Sequence, residues 1–179
     1  MSSNPDNGAI ETLKLNEAKL TSLYEEYYDK IAHYVYTHIG DRSEAENIAG
    51  EVFLKALESL KSYKERGIPM QAWLFRIAHN LTVDYLRKAV KRKTVSIDTV
   101  EIASDADPTT MVEKNMELER LTKAMEQLTW EQGEVLRLRF FGELTSKETG
   151  NILKKSDGAV REMQRVALEK LRKLLVTEQ

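Results

Sequence analysis

The 179-residue chain contains no cysteine. Disulfide frameworks, thiolate metal sites, iron–sulfur clusters and cysteine nucleophiles are therefore excluded. Glycine and proline are scarce too, at 8 and 3 residues, roughly half the usual share for a globular chain. That deficit argues against a turn-rich all-β fold. No apolar run approaches the ~18–20 residues that span a bilayer. The polar start MSSNPDNGAI lacks the basic-then-apolar pattern of a signal peptide, so the expected location is the cytoplasm. An excess of charge of one sign is also missing: Lys+Arg 27 against Asp+Glu 29 gives a net charge of −2. At first sight this speaks against nucleic acid as the partner. What is present, 41% hydrophobic and 31% charged residues, is the mix of a soluble chain that folds around a core, long enough for one medium or two small domains.

Apolar residues recur at helical spacing from about Asn16 to Ile39 (Leu20, Leu23, Tyr24, Tyr27, Ile31, Tyr34, Val35), and Gly40 supplies a stop. Ser43 and Glu46 have the spacing of a capping box. A second helix is expected after it, burying Ala45, Ile48, Ala49, Val52, Phe53, Ala56, Leu57 and Leu60. Ser62 to Pro69 reads as a loop. A third helix runs from about Met70 to Lys93, with Trp73, Leu74, Ile77, Ala78 and Leu81 facing inward. Between Thr94 and Glu113 there are five acidic residues and no Lys or Arg, the composition of a flexible acidic linker. Periodicity resumes near Met111 with Met116, Leu121, Met125 and Leu128 inward. Boxes at Thr129/Gln132 and Thr145/Glu148 open two more helices, the first through Val135, Leu136, Leu138 and Phe140 to near Gly142. A last helix from near Ser156 buries Val160, Met163, Ala167, Leu171 and Leu174. The expected fold is all-α: two small helical domains, residues 16–93 and 111–176, joined by an acidic linker over 94–110.

Two segments carry chemistry. A short capped helix, a tight turn and a longer helix near the C-terminus form a helix-turn-helix. Gly150 stands where the helices must cross, and Val160 and Met163 anchor the second. Arg161, Glu162 and Arg165 then point outward, where arginine can read guanine and glutamate can accept from cytosine in a major groove. The N-terminus at Ser156 can meet a phosphate. The plainer alternative is a helical hairpin with a solvated charged face. The third helix is the second segment: Trp73, Phe75 and Tyr85 beside Arg76, Asn80, Arg87, Lys88, Lys91, Arg92 and Lys93 suit single-stranded nucleic acid, with bases on the rings and phosphates on the cations. Its alternative is a core tryptophan and a basic helix end favoured by the macrodipole.

Catalysis finds no support. His33 and His38 are five apart and do not share a helix face for zinc, and His79 has no evident carboxylate partner. There is no glycine-rich phosphate loop and no serine elbow.

The runs SEAENIAGEVFLKALESL and AWLFRIAHNLTVDYLRK resemble region 2 of bacterial extracytoplasmic-function (ECF) sigma factors, and LTWEQGEVLRLRFFGELTSKETGNILKKSDGAVREMQRVALEKLRKLL resembles their region 4. The resemblance covers about Leu20 to Leu175. It implies a non-enzymatic subunit that directs RNA polymerase to promoters. By position, Glu46, Asn47, Gly50, Glu51 and Phe53 face the β′ clamp helices of core polymerase. Tyr63 and Lys64 in the loop, with Trp73, Arg76, Asn80, Arg87, Lys88, Lys91 and Arg92, take the non-template strand of the minus-ten element, Asn80 lying near a flipped-out base. Lys154, Lys155, Ser156, Ala159, Arg161, Glu162 and Arg165 face the minus-thirty-five duplex, and region 4 meets the β flap. Control by an anti-sigma factor, often membrane-anchored in the family, is implied as well; no cofactor is. Two other readings stay open: a sigma-like decoy that only binds an anti-sigma factor, and a free-standing helix-turn-helix regulator.

The chain departs from the family pattern in several places. Asn47 and Gly50 replace an Asp and a Gln, Gly133 an Arg, and E-I-A reads Glu148, Thr149, Gly150; the usual turn glycine is absent near Lys154. The net charge is also an average over segregated pieces. Lys154 to Lys173 holds seven positive residues against three negative, and Arg87 to Lys93 forms a second basic cluster. The chain is therefore expected to bind DNA poorly alone.

Overall fold

The computed structural model describes residues 5–95 and 112–177. Seven α-helices make up the described chain: α1 Pro5–Ile39, α2 Arg42–Glu58, α3 Met70–Val95, α4 Val112–Glu126, α5 Trp130–Phe140, α6 Ser146–Leu153 and α7 Asp157–Thr177, with a single 3₁₀ turn, Leu60–Ser62, after α2. No strand occurs among the described residues. The chain divides into two compact units, Met1–Lys88 and Ala89–Gln179, with the division inside α3. The acidic linker expected over 94–110 lies, apart from the last two residues of α3, outside the described residues.

In the first unit α1 is two to three turns longer than the sequence suggests. It begins at Pro5, and half-buried Leu13 and buried Asn16 extend the inward stripe that runs through Leu20, Tyr27, Ile31, Tyr34 and Val35. Gly40 closes α1 with φ +72°, a left-handed conformation that costs glycine little, and its N–H donates to the Tyr36 carbonyl at 2.9 Å. The expected cap at Ser43 is displaced. Asp41 is already extended, directly after the turn, and its carboxylate accepts from the Glu44 N–H at 3.0 Å, so α2 starts at Arg42. Phe75 of α3 is fully buried between Tyr27 and Tyr34 of α1, edge-on to both at 5.9 Å between ring centroids. The sequence reading grouped this ring with the nucleic-acid-facing aromatics; it belongs to the core. Leu57, expected inside, is 55% exposed, and Tyr24 is half exposed while it packs edge-on against Phe53 at 4.9 Å.

The second unit packs Ala124, Met125 and Leu128 of α4 and the following turn, Leu136 of α5, and Ala167 and Leu171 of α7 into one core, with Leu121, Leu174 and Leu175 against it. Both expected capping boxes form: Thr129 with Gln132, and Thr145 with Glu148, each side chain bonding the other's backbone N–H. Each satisfies two orphan donors of the first helical turn. Met116, expected to point inward, is exposed, and Phe140 is exposed to 82%. The pattern ends early there because Arg139 turns inward instead: its Nε donates to Gln164 Oε1 at 2.8 Å and its Nη1 to the Leu144 carbonyl, joining α5 to α7 and to the loop before α6.

The turn between α6 and α7 rests on Gly150. A Cβ there would lie 2.4 Å from the Lys155 carbonyl oxygen and 3.5 Å from Val160 Cγ2, so no side chain fits while the helices keep this approach. Lys154 adopts φ 57°, ψ 45°, a left-handed conformation that usually falls to glycine. Thr149 is fully buried, and its Oγ1 has no hydrogen-bond partner among the described residues.

Two substitutions test this turn. Gly150→Ala is expected to destabilise the second unit by about 1–3 kcal/mol through overpacking against backbone. Thr149→Val removes the buried hydroxyl at nearly constant volume and is expected to stabilise it by about 1 kcal/mol. Thermal unfolding reads both, at about 4–8 °C per kcal/mol for a unit of this size.

Candidate nucleic-acid interface

Residues 73, 76, 80, 87 and 91 of α3 lie three, four, seven and four apart and form one helical stripe. Arg76, Asn80, Arg87, Lys91 and Arg92 are exposed, and Trp73 is half-buried. The loop before α3 is built against the start of this stripe. Tyr63 packs on Trp73 with ring centroids 4.7 Å apart and planes tilted by 37°. Its phenol donates to the Ile68 carbonyl at 3.2 Å, Gly67 turns the chain at φ +74°, and Trp73 N–H donates to the Pro69 carbonyl at 3.2 Å. Lys19 of α1 pairs with Glu65 at 3.3 Å and ties the loop to the bundle. Burial, reinforced by the charge of Glu65, raises the Tyr63 phenol above the ordinary tyrosine value. The loop and the helix together therefore present one aromatic pair beside a row of cations and the Asn80 amide, with Lys64 exposed at the rim. Within the row Lys88 pairs with Asp84 at 3.1 Å, and that bond and charge hold the Asp84 carboxyl below the ordinary range. Tyr34 and His79 approach within 3.4 Å, Oη to Nδ1, so His79 belongs to the α1–α3 contact.

The α7 set lies on the first turns of that helix and the turn before it. Arg161, Glu162 and Arg165 are exposed and Ala159 is half-buried. Ser156 caps α7, its Oγ accepting from the Ala159 N–H at 3.1 Å. Lys154 is exposed at the left-handed turn, whereas Lys155 pairs with Glu131 of α5 at 2.8 Å. Acids of α7 hold several of its cations: Arg161 meets Asp157 at 3.2 Å, Arg165 meets Glu162 at 2.8 Å and Glu169 at 3.3 Å, and Lys173 meets Glu169 at 3.5 Å.

On α2, Glu46, Asn47 and Glu51 are exposed and Gly50 is half-buried. Phe53, assigned to the same outward face by the resemblance, is instead in the core. It is only 7% exposed and lies against Tyr24 and Tyr28, because it falls on the same side of the helix as Ala49 and Ala56. The outward stripe that contains Asn47, Gly50 and Glu51 continues through Leu54 and Leu57, 61% and 55% exposed. Steps of three and four from Asn47 through Gly50 identify both leucines, although the expected buried stripe includes Leu57. A Cβ at Gly50 would meet nothing within 4 Å.

The chain matches the family models for Sigma-70 region 2 over residues 23–92 and for Sigma-70, region 4 over residues 124–173. It is 34% identical over 134 residues to the ECF RNA polymerase sigma factor ShbA of Streptomyces griseus subsp. griseus, covering 72% of this chain and 70% of that one. To the ECF RNA polymerase sigma factor BldN of Streptomyces coelicolor it is 30% identical over 155 residues, 86% of this chain but 59% of the relative, so the chain spans less than two thirds of that protein. Among solved structures, CnrH in complex with the cytosolic domain of CnrY superposes with a TM-score of 0.70 at 20% identity over 96% of each chain. The sigma factor RpoE in complex with the anti-sigma factor NepR from Bartonella quintana gives 0.68 at 19% identity, over 90% of this chain and 99% of that one. The structural likenesses establish the fold. With both region models matched in order and a relative of this identity, the chain belongs to the ECF family of RNA polymerase sigma factors. No described helix is long and apolar enough to cross a membrane.

Two measurements check the local geometry. Tyr63→Phe is expected to keep the stacking on Trp73 and lose about 1 kcal/mol in urea unfolding for the missing bond to Ile68, and alkaline difference absorbance against this variant is expected to place the Tyr63 ionisation above the ordinary range. Gly50→Ala is expected to stabilise the first unit by about 1 kcal/mol, since the site is open and only helix propensity changes.

Proposed function

We propose that the protein is a promoter-specificity subunit of RNA polymerase without catalysis of its own, acting in the cytoplasm where that enzyme works. The observation that carries the reading is the occurrence of regions 2 and 4 in order in one chain, together with the exposed aromatic and cationic stripe on α3. Residues 16–93 serve as the polymerase-binding and minus-ten domain, and 111–176 as the minus-thirty-five domain. The outward face of α2, with Glu46, Asn47, Gly50, Glu51, Leu54 and Leu57, docks on the β′ clamp helices. An apolar pair inside a polar rim is the composition expected of such a docking surface. Region 4 meets the β flap.

Strand opening follows from the chemistry of the α3 face. Phosphates of the non-template strand pair with Arg76, Arg87, Lys88, Lys91 and Arg92, which adds sequence-independent affinity for the strand once it is open. Trp73, backed by Tyr63, offers a stacking surface in exchange for the stacking lost in the duplex. Asn80, with donor and acceptor in one amide, contacts a base turned out of the stack, so sequence choice and melting are one event. On α7, Arg161, Glu162 and Arg165 face the edges of the minus-thirty-five duplex, with Lys154, Lys155 and Ser156 near its phosphates. An anti-sigma factor, of the membrane-anchored kind in one common arrangement, controls access to these surfaces.

The departures at Asn47 and Gly50 favour a second reading, a decoy that binds an anti-sigma factor and never reaches polymerase. Competition separates the two, because a working sigma factor displaces another from core polymerase and a decoy does not. Run-off transcription with purified core polymerase on genomic fragments tests the main proposal. Discrete promoter-dependent transcripts are expected, and Trp73→Ala is expected to reduce them by about 5–150-fold, the value of one stacked base. Absence of any promoter-dependent transcript would overturn the proposal.

A further inference from the structure

The side-chain arrangement around Arg165 is not explained by groove contact alone. Arg165 Nε donates to Glu162 Oε2 at 3.1 Å and Nη2 donates to Glu162 Oε1 at 2.8 Å, so one carboxylate grips the side edge of the guanidinium with both oxygens. Nη1 donates to Glu169 Oε2 at 3.3 Å. Every nitrogen of the guanidinium is thus engaged by carboxylates of its own helix, one about a turn before it and one about a turn after. Arg161, by contrast, pairs through Nη2 with Asp157. A guanidinium has five N–H donors. Three are used within the helix, which leaves one on each terminal nitrogen. A pair of donors from one arginine is what guanine O6 and N7 require. A fork–fork grip also removes freedom from the last torsions of the side chain before any DNA arrives.

The same geometry bears on Glu162. Both of its oxygens face the guanidinium, whereas a glutamate reading cytosine must turn an oxygen towards the groove floor. The bonds and charge of Arg165 lower the Glu162 carboxyl below its ordinary value, in keeping with the two-oxygen contact. We propose that Glu162 is a positioning residue: it holds Arg165 in the orientation that reads one base pair of the upstream duplex and reads no base itself. This rests on the reading of α7 as the helix that meets the minus-thirty-five element.

The test uses the holoenzyme, formed from the full chain and core polymerase, on a promoter library with a fixed downstream element and a randomised upstream element. Wild-type protein is expected to select guanine at one upstream position, and Arg165→Ala to lose about tenfold or more of that preference. Glu162→Gln, which keeps volume and helix propensity, is expected to lose at least threefold at that same position and nowhere else. Circular dichroism confirms that the variant folds. In the free protein, Glu162→Gln is further expected to shift the Arg165 Nε–H resonance. A preference lost at a different position makes Glu162 a base reader and overturns the proposal, as does an unchanged preference or an unshifted Nε–H resonance. Wild-type holoenzyme with no upstream preference contradicts the reading of α7 itself and removes the proposal with it, a result distinct from failure of the Glu162 variant alone.

Discussion

The second unit depends on one close approach, that of the α6 backbone at Gly150 to the carbonyl of Lys155. Without a side chain there, α7 can start immediately after the turn, Val160 can seat fully buried below the crossing, and the residues between the anchors are left outside. The cost of this economy is concentrated nearby: Lys154 holds a left-handed conformation and Thr149 buries a hydroxyl with no partner among the described residues. Arg139 then fixes the loop before α6 through the Leu144 carbonyl and α7 through Gln164. The first unit uses aromatic packing for the same purpose. Phe75, held edge-on by Tyr27 and Tyr34, sets the rotation of α3 about its axis. With that ring inward, Arg76 and Asn80 are outward by helical geometry.

Charge is organised by segment and then partly cancelled within each segment. The near-zero total conceals the basic end of α3 and the basic α7. Within α7, Asp157, Glu162 and Glu169 hold Arg161, Arg165 and Lys173, and Glu131 holds Lys155. Exposed pairs of this kind add little stability. Their effect is on recognition, because cations already paired gain less from a phosphate. Under the proposed function, a helix arranged in this way contributes selectivity more than affinity.

Much of the fold was legible because its signals are local. Gly40 as a stop, the Thr129/Gln132 and Thr145/Glu148 boxes, and Gly150 at a helix crossing each follow from the chemistry of a few neighbouring residues. The errors share a different origin: they needed the phase of a helix relative to its neighbours. Residue type alone puts Leu57 and Met116 inside and Phe75 among the outward aromatics, and the structure reverses all three. The cap of α2 moved to Asp41 because a two-residue connection left it the first side chain in reach. For the candidate surfaces, the composition of the α3 stripe could be read directly. The stacking of Tyr63 on Trp73 could not, since it depends on how the loop folds back, nor could the grip of Glu162 on Arg165, since an exposed side chain three positions away is equally free to extend into solvent.

Under the proposed function the two units read two states of DNA, a single strand on α3 and a duplex on α7. Footprinting of a responding promoter in complex with the holoenzyme tests it most directly, with permanganate for unpaired thymines and hydroxyl radical for protected backbone. Reactive thymines are expected at a downstream element and, separately, protection of an upstream duplex that stays unreactive to permanganate. Protection without any reactive thymine, or reactive thymines that persist undiminished with Trp73→Ala and Asn80→Ala combined, would contradict it.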